Sequence, residues 1–332
     1  MLNKFVKFVL AATFAVFPLA TANAQSVKGT VTLPNLPGQL AVNLLSDRVY
    51  VAVPNSGAEP YDYLTVIDGK SDAVIKNIKI PAGAYAVAVD SFRDLVYVGD
   101  TYEDSNGSTH NQVVVVNPRN EEVIKTIPIS STSGDGILGL AVNWQTGDLY
   151  VSNGSDLEVD VIRHFRVQER IATSGEPYGI ALNPSKDLIY VARLDGNVSV
   201  IDGRTNKITA TTSFGSSDIG IAVDISTGKV FTTNAVGYPA KGTVGILDQS
   251  DTLLDTLSVG NVPYGIDVDF GTHLALVANT QDNTVSVIDG NTDKVTATLP
   301  ITSGYFVAVN PASGKAYVAS ASDSTITVIK EK

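Results

Sequence analysis

Between Pro177 and Thr212 the chain reads PYGIALNPSKDLIYVARLDGNVSVIDGRTNKITATT. Four short apolar or alternating runs stand out: Gly179–Leu182, Leu188–Ala192, Val198–Ile201 and Lys207–Thr212. The segments between them are rich in Asn, Asp, Gly, Pro and Ser. Runs of this length bounded by turn formers predict four strands of one antiparallel meander.

The same pattern recurs along the chain. Aligned on the Ala-Val or Ala-Leu pair, copies fall at Ala41, Ala88, Ala141, Ala181, Ala222, Asp267 and Ala308, at intervals of 47, 53, 40, 41, 45 and 41 residues. Nine residues after each comes a large side chain: Tyr50, Tyr97, Tyr150, Tyr190, Phe231, Leu276 and Tyr317. The first turn therefore never changes length. A third strand recurs as Leu64–Ile67, Val113–Val116, Val159–Ile162, Val198–Ile201, Val244–Leu247, Val285–Ile288 and Ile326–Ile329, and five copies follow it with Asp or Asn. Seven four-stranded units of this length predict an all-β fold, a seven-bladed β-propeller of antiparallel blades. A single blade has two apolar faces and cannot cover both; neighbours in a closed ring can.

The two ends supply a check. The seventh copy stops after its third strand, and the chain ends at Lys332. Near the other end, Val27-Lys28-Gly29-Thr30-Val31-Thr32-Leu33-Pro34 matches the fourth strand of the sixth copy, Lys294-Val295-Thr296-Ala297-Thr298-Leu299-Pro300. The N-terminal segment is expected to complete the last blade, since an open stack would leave two raw strand edges.

The strings Tyr190-Val191-Ala192, Tyr150-Val151-Ser152-Asn153 and Leu276-Val277-Ala278-Asn279, each leading to Val-Ser-Val-Ile-Asp or a relative of it, resemble the YVTN-repeat β-propeller family. Pro-Tyr-Gly-Ile at Pro177 and Pro263, and Val-Ser-Val-Ile-Asp-Gly at Val198 and Val285, carry the likeness most specifically. The third copy departs from it with Arg163 in place of Asp, and the fifth with Phe231-Thr232-Thr233-Asn234. The resemblance implies an exported or surface seven-bladed protein and does not imply an enzyme.

The first 24 residues stand outside the repeat. Lys4 and Lys7, the apolar run Phe8–Leu19 and Ala22-Asn23-Ala24 form the three parts of a cleavable signal peptide. The run is short for a membrane anchor. Cleavage would leave Gln25 first and a single propeller domain over residues 25–332, exported to the periplasm or the exterior. It removes Lys4 and Lys7, so the 23 basic residues become 21 against 34 acidic ones, a mature charge of −13. That charge repels phosphate, and no basic stripe appears, so nucleic acid is disfavoured as a partner. The absence of Cys excludes disulfides, thiol nucleophiles and thiolate metal sites. A monomer without a membrane span is expected.

In such a ring the fourth-to-first and second-to-third connections share one face, here called the top. The first-to-second turns are short and constant, whereas the second-to-third links vary at Pro54–Asp62, Asp100–Asn111 and Ala235–Gly242. Variation on one face points to function there. The candidates are Tyr85, Tyr178, Tyr264 and Tyr305, each just before a first strand; Asp100, Asn153, Arg193, Asn234 and Asn279, at second-strand ends; and Tyr61, His110 and Lys241, in the longer loops. Aromatics with amides and a few charges suit a small polar ligand, a glycan or a protein. Metal and cofactor chemistry find little support. The three His, His110, His164 and His273, fall on different connections and do not converge in a ring. Asp104–Ser108 lacks the spacing and closing Glu of a calcium loop, and a flexible polar loop is the simpler expectation. No Gly-x-Ser-x-Gly elbow and no phosphate-binding loop occur. The haem propeller of cytochrome nitrite reductases uses His ligands; with His110 alone on the top face, neither haem nor any other cofactor is expected. The favoured function is non-enzymatic binding or scaffolding. The alternative is a lactonase-like or other channel-site hydrolase, with or without a divalent metal.

Overall fold

The computed structural model describes residues 25–55, 60–215, 217–235 and 241–331. The expected signal peptide and parts of the loops Pro54–Asp62 and Ala235–Gly242 lie outside these residues. Among the described residues there are 28 strands, β1 (Ser26–Thr32) to β28 (Thr325–Lys330), in seven sheets of four. Each blade is an antiparallel meander of four strands; blade four, for example, runs Pro177–Asn183, Leu188–Arg193, Asn197–Asp202 and Lys207–Ser213. Blade seven consists of β26 (Gly304–Asn310), β27 (Lys315–Ser320), β28 and β1. The N-terminal strand therefore closes the ring, with Ser26 opposite Lys330 and Thr32 opposite Thr325.

Burial follows position in the blade. Second strands such as Arg48–Val53 and Asp148–Asn153 are buried on both faces, because a neighbouring blade covers each. Fourth strands such as Lys207–Ser213 alternate exposed and half-buried, as outer edges in water should. The apolar side chains gather into seven clusters, one at each seam between adjacent blades. The seam between blades seven and one includes Val31 and Leu33 with Val49, Val51 and Tyr317. The N-terminal strand thus adds core as well as hydrogen bonds.

Polar latches on the bottom face tie one blade to the next. The residue that ends a first strand donates to the turn of the following blade. Asn43 Nδ2 reaches Asp94 Oδ1 at 2.9 Å, Asn143 reaches Asp187 at 2.7 Å, and Asn310 reaches Asp47 at 2.7 Å across the closing seam. Between blades five and six the pair is reversed in type, with His273 Nδ1 2.8 Å from Asp224 Oδ2. The receiving turn residues have left-handed φ (Asp47 52°, Asp94 54°, Asp187 55°, His273 62°), a conformation that Asp and His tolerate. Lys315 Nζ adds a 2.8 Å bond to Asp72, which also pairs with Lys28 of the N-terminal strand.

Removing Val27–Leu33 should strip blade seven of its outer strand and unseat Val31 and Leu33. A loss of several kcal/mol in a protein of this size corresponds to roughly 10 °C of melting temperature. Thermal unfolding followed by circular dichroism should show that drop, and an unchanged melt would contradict the closure.

Candidate functional site

The seven first strands surround the axis, and the upper ends of six of them are bulged. The register shifts between Ala84 and Ala86, Pro177 and Ile180, Pro263 and Ile266, and Gly304 and Val307. A bulge adds twist and re-aims a side chain. Each of these four bulges contains one of the candidate tyrosines, and together they close the top of the channel. Tyr85 and Tyr178 share a hydroxyl hydrogen bond of 2.8 Å, and the Tyr178 hydroxyl bonds in turn to that of Tyr264. Tyr264 stacks on Tyr305 with centroids 4.0 Å apart. Phe306 meets Tyr85, Tyr264 and Tyr305 edge-on at 5.7, 5.5 and 4.5 Å. Burial among rings and neighbouring hydroxyls pushes the Tyr85 and Tyr264 phenols well above their usual range and that of Tyr178 to about 12, so all three stay neutral donors. Glycine permits this convergence. A Cβ on Gly179 would lie 2.3 Å from the Ile219 carbonyl of the next blade, and one on Gly220 2.2 Å from that of Tyr264.

The plug separates two cavities, and Tyr178 lines both. Above it, a cavity of about 630 Å³ spans blades one to four. Its walls include Pro54, Asn55, Tyr85, Leu138 and Leu194, and its acidic groups are Asp62, Asp135 and Glu176. The variable loop after Val53 borders it. The Asp62 carboxylate accepts from the backbone N–H groups of Asn55 (2.7 Å), Gly83 (2.7 Å) and Ala84 (2.8 Å), which shapes the rim. Glu176 is less well served. Burial first, then its hydrogen bond to and charge repulsion from Asp135, push its carboxyl up to about 7. Among the described residues neither Asp135 nor Glu176 forms an ion pair with Lys or Arg. Asp100 lies just beneath, fully buried; Gln112 donates to one oxygen at 3.2 Å, and burial pushes this carboxyl to about 7 as well.

Below the plug, the channel forms a cavity of about 400 Å³ that reaches the bottom face between Leu44, Trp144, Pro184, Ile225, Phe270 and Pro311. Asp267 is the carboxylate on its wall. Its oxygens accept from the backbone N–H of Val268 (2.8 Å) and of Val309 in the next blade (2.7 Å). Burial raises its carboxyl from 3.8 to about 6 against those two hydrogen bonds. Higher up, Gln39 Nε2 crosses from blade one to the Leu138 carbonyl at 2.6 Å and narrows the bore.

The other sequence candidates are dispersed. Asn153 is buried and donates within its blade to Asp156 (2.9 Å) and Asp160 (3.1 Å). Arg193 is buried, bonded to Ser199 at 2.9 Å and paired with Asp195. Asn279 donates to Thr284 (3.1 Å) and Ser286 (2.9 Å), and Asn234 to the Phe214 carbonyl at 3.4 Å. Tyr61 packs edge-on against Tyr63 at 5.5 Å under the Lys79 ammonium at 3.9 Å. Lys241 is exposed at the edge of its loop. The polar segment Asp104–Ser108 is the tip of a long hairpin, Leu95–Glu103 with Thr109–Asn117. Asp104 there caps the N–H groups of Asn106 (2.8 Å) and Ser108 (2.9 Å) and meets His110 at 3.1 Å, while His110 stacks on Tyr102. Among the described residues no group of three or more His, Cys, Asp or Glu side chains is placed to hold a metal ion.

Sequence reasoning passed over Asp135, Glu176, Phe306 and Gln39 as site residues, and registered Asp267 only as the odd member of the alanine column. That break was the one available signal. No protein-family model matches the chain, and no curated protein matches it either.

Because its folded pKa is raised, Asp267 weighs against the folded state only where it is charged. That cost is absent below about pH 4 and complete above about pH 6, the interval between its ordinary and folded values. Asp267→Ala should therefore melt higher than the wild type by roughly 2–5 °C at pH 7.5, and the gap should close towards pH 4. Paired thermal melts across that range check both the sign and the window.

Proposed function

We propose that this chain is an exported, non-catalytic binding propeller of the YVTN-repeat type, and that the top-face cavity takes a ligand carrying a cationic group. One observation carries the reading. Asp135 and Glu176 face a cavity of about 630 Å³ without a Lys or Arg partner among the described residues. Glu176, half-buried beside Asp135, keeps its proton up to about pH 7, and an ammonium or guanidinium would replace that proton. Tyr85 and Tyr178 supply a floor with phenol edges and faces, which suits an amine or guanidinium on a small or peptidic body. The volume falls within the range of small-ligand sites. The fold supports a binding or scaffold role, because a rigid ring presents variable loops without moving parts. The mature charge of −13 favours approach of a cation.

The test is calorimetric titration with spermidine, putrescine, L-arginine and an Arg-containing tripeptide, against glucose and citrate as neutral and anionic controls. At least one cation should bind at the top face, more tightly at pH 8 than at pH 6. At pH 7 binding should release a proton, seen as a heat that changes with the buffer's ionisation enthalpy. Asp135→Asn with Glu176→Gln should weaken it by at least tenfold without lowering the melting temperature. Equal affinity in that double variant, or binding of the controls alone, would overturn the assignment.

A further inference from the structure

The channel below the tyrosine plug is a second cavity with a chemistry of its own. Its mouth on the bottom face is apolar. Leu44 and Trp144 are each 38% exposed there, and Pro184, Ile225, Phe270 and Pro311 complete the rim. Leu45 and Phe92 extend the apolar surface outward, with Phe92 stacked on Trp144 at 5.0 Å. The side chains of the wall above the rim are mostly Val, Ile, Leu and Ala, with Gln39 near the plug and glycines that leave backbone exposed, and among the described residues no Lys, Arg or His lines it. Asp267 stands halfway up, at the position that the other six blades fill with alanine (Ala41, Ala88, Ala141, Ala181, Ala222 and Ala308). From Phe270 at the rim to Asp267 is three residues of strand, roughly 10 Å.

We propose that the channel is a binding site for a primary alkylammonium ion, entered from the bottom face, with the alkyl chain against the apolar bore and the ammonium on Asp267.

The geometry matches the ligand at each level. A carboxylate offers about four acceptor positions; the N–H groups of Val268 and Val309 use two and hold the group fixed. Asp267 lines the bore, so its remaining acceptor positions suit the donors of an ammonium there. The apolar mouth rewards a hydrocarbon tail and offers nothing to a polyol. An anion would meet the carboxylate of Asp267, the one acid among the described residues that line the bore. A lysine side chain carries the same head group, but its four-carbon stem is short for the depth when its backbone must stay outside. Alanine at Asp267 would complete the pattern of the ring and remove a buried charge, so the aspartate stands at a cost in stability that a binding role would explain. This site does not depend on the top-face reading, because the plug lies between the two.

Trp144 at the mouth is the chain's single tryptophan, so its emission reports on the bore alone. Titration of the mature protein with n-hexylammonium at pH 7.5 should change that emission saturably, with one site per chain. Hexanol and hexanoate should bind at least tenfold more weakly. Asp267→Ala and Asp267→Asn should each lose at least tenfold in affinity while remaining folded; the Asn variant keeps an acceptor for Val309. Asp135→Asn with Glu176→Gln should titrate as the wild type does. Unchanged affinity in both Asp267 variants, or equal binding of hexanol, would overturn the proposal. So would a lysine-containing peptide that quenches Trp144 in an Asp267-dependent way while hexylammonium is inert, because that would assign the bore to a protein partner.

Discussion

Every other feature of this molecule depends on one strand pairing, that of the N-terminal strand Ser26–Thr32 with the C-terminal strand Thr325–Lys330. A blade is apolar on both faces and cannot stand at the end of a row. The ring solves this only if the last blade is complete, and its outer strand comes from the opposite end of the chain. The pairing contributes Val31 and Leu33 to the closing seam, and Lys28 to the carboxylate of Asp72 in blade one. The bottom-face latches repeat the same solution in polar form, from Asn43 to Asp94 through to Asn310 and Asp47. Closure fixes the radius at which the first strands meet, and the radius decides what fits on the axis.

What fits is a set of aromatic rings above and a narrow bore below. Bulges at the upper ends of the first strands swing Tyr85, Tyr178, Tyr264 and Tyr305 over the axis, and the glycines beside them let adjacent strands approach. The hydroxyl chain and ring stacking make the plug a shared structure of four blades. It divides the axis into an acidic top cavity and an apolar bottom channel with one carboxylate. The two share Tyr178 as a wall and differ in everything that selects a ligand: one offers two neighbouring carboxylates beneath polar loops, the other a bore of mostly aliphatic side chains with one carboxylate halfway up.

The architecture was legible in the sequence because a closed ring imposes strict spacing. The first turn keeps its length, the second strand opens on a bulky residue each time, and the missing last strand is visible at the other terminus. The tyrosine column was legible too, although not that the rings meet each other. Asn153, Arg193 and Asn279 stood out as channel-mouth candidates by residue type. They sit one strand away from the axis, however, and their polar groups bond within their own blades. Asp135 and Glu176 gave no signal, since single acids in glycine-containing links look like ordinary solvated loops; only the fold brings them to one cavity. Asp267 was visible as an exception to the alanine column, but its meaning needed the bore. The Asn and Asp of the bottom turns read as turn chemistry, and their bonds to the next blade are the part that sequence spacing alone does not show.

The ring closure that organises all of this is tested most directly by native-state hydrogen exchange on the backbone amides of Thr325–Lys330. If the N-terminal strand completes blade seven, the amides of this strand that face it should exchange only through global unfolding, as slowly as those of Leu188–Arg193 in the middle of the ring. Exchange that is much faster there, at rates typical of a frayed edge strand, would contradict the closed ring.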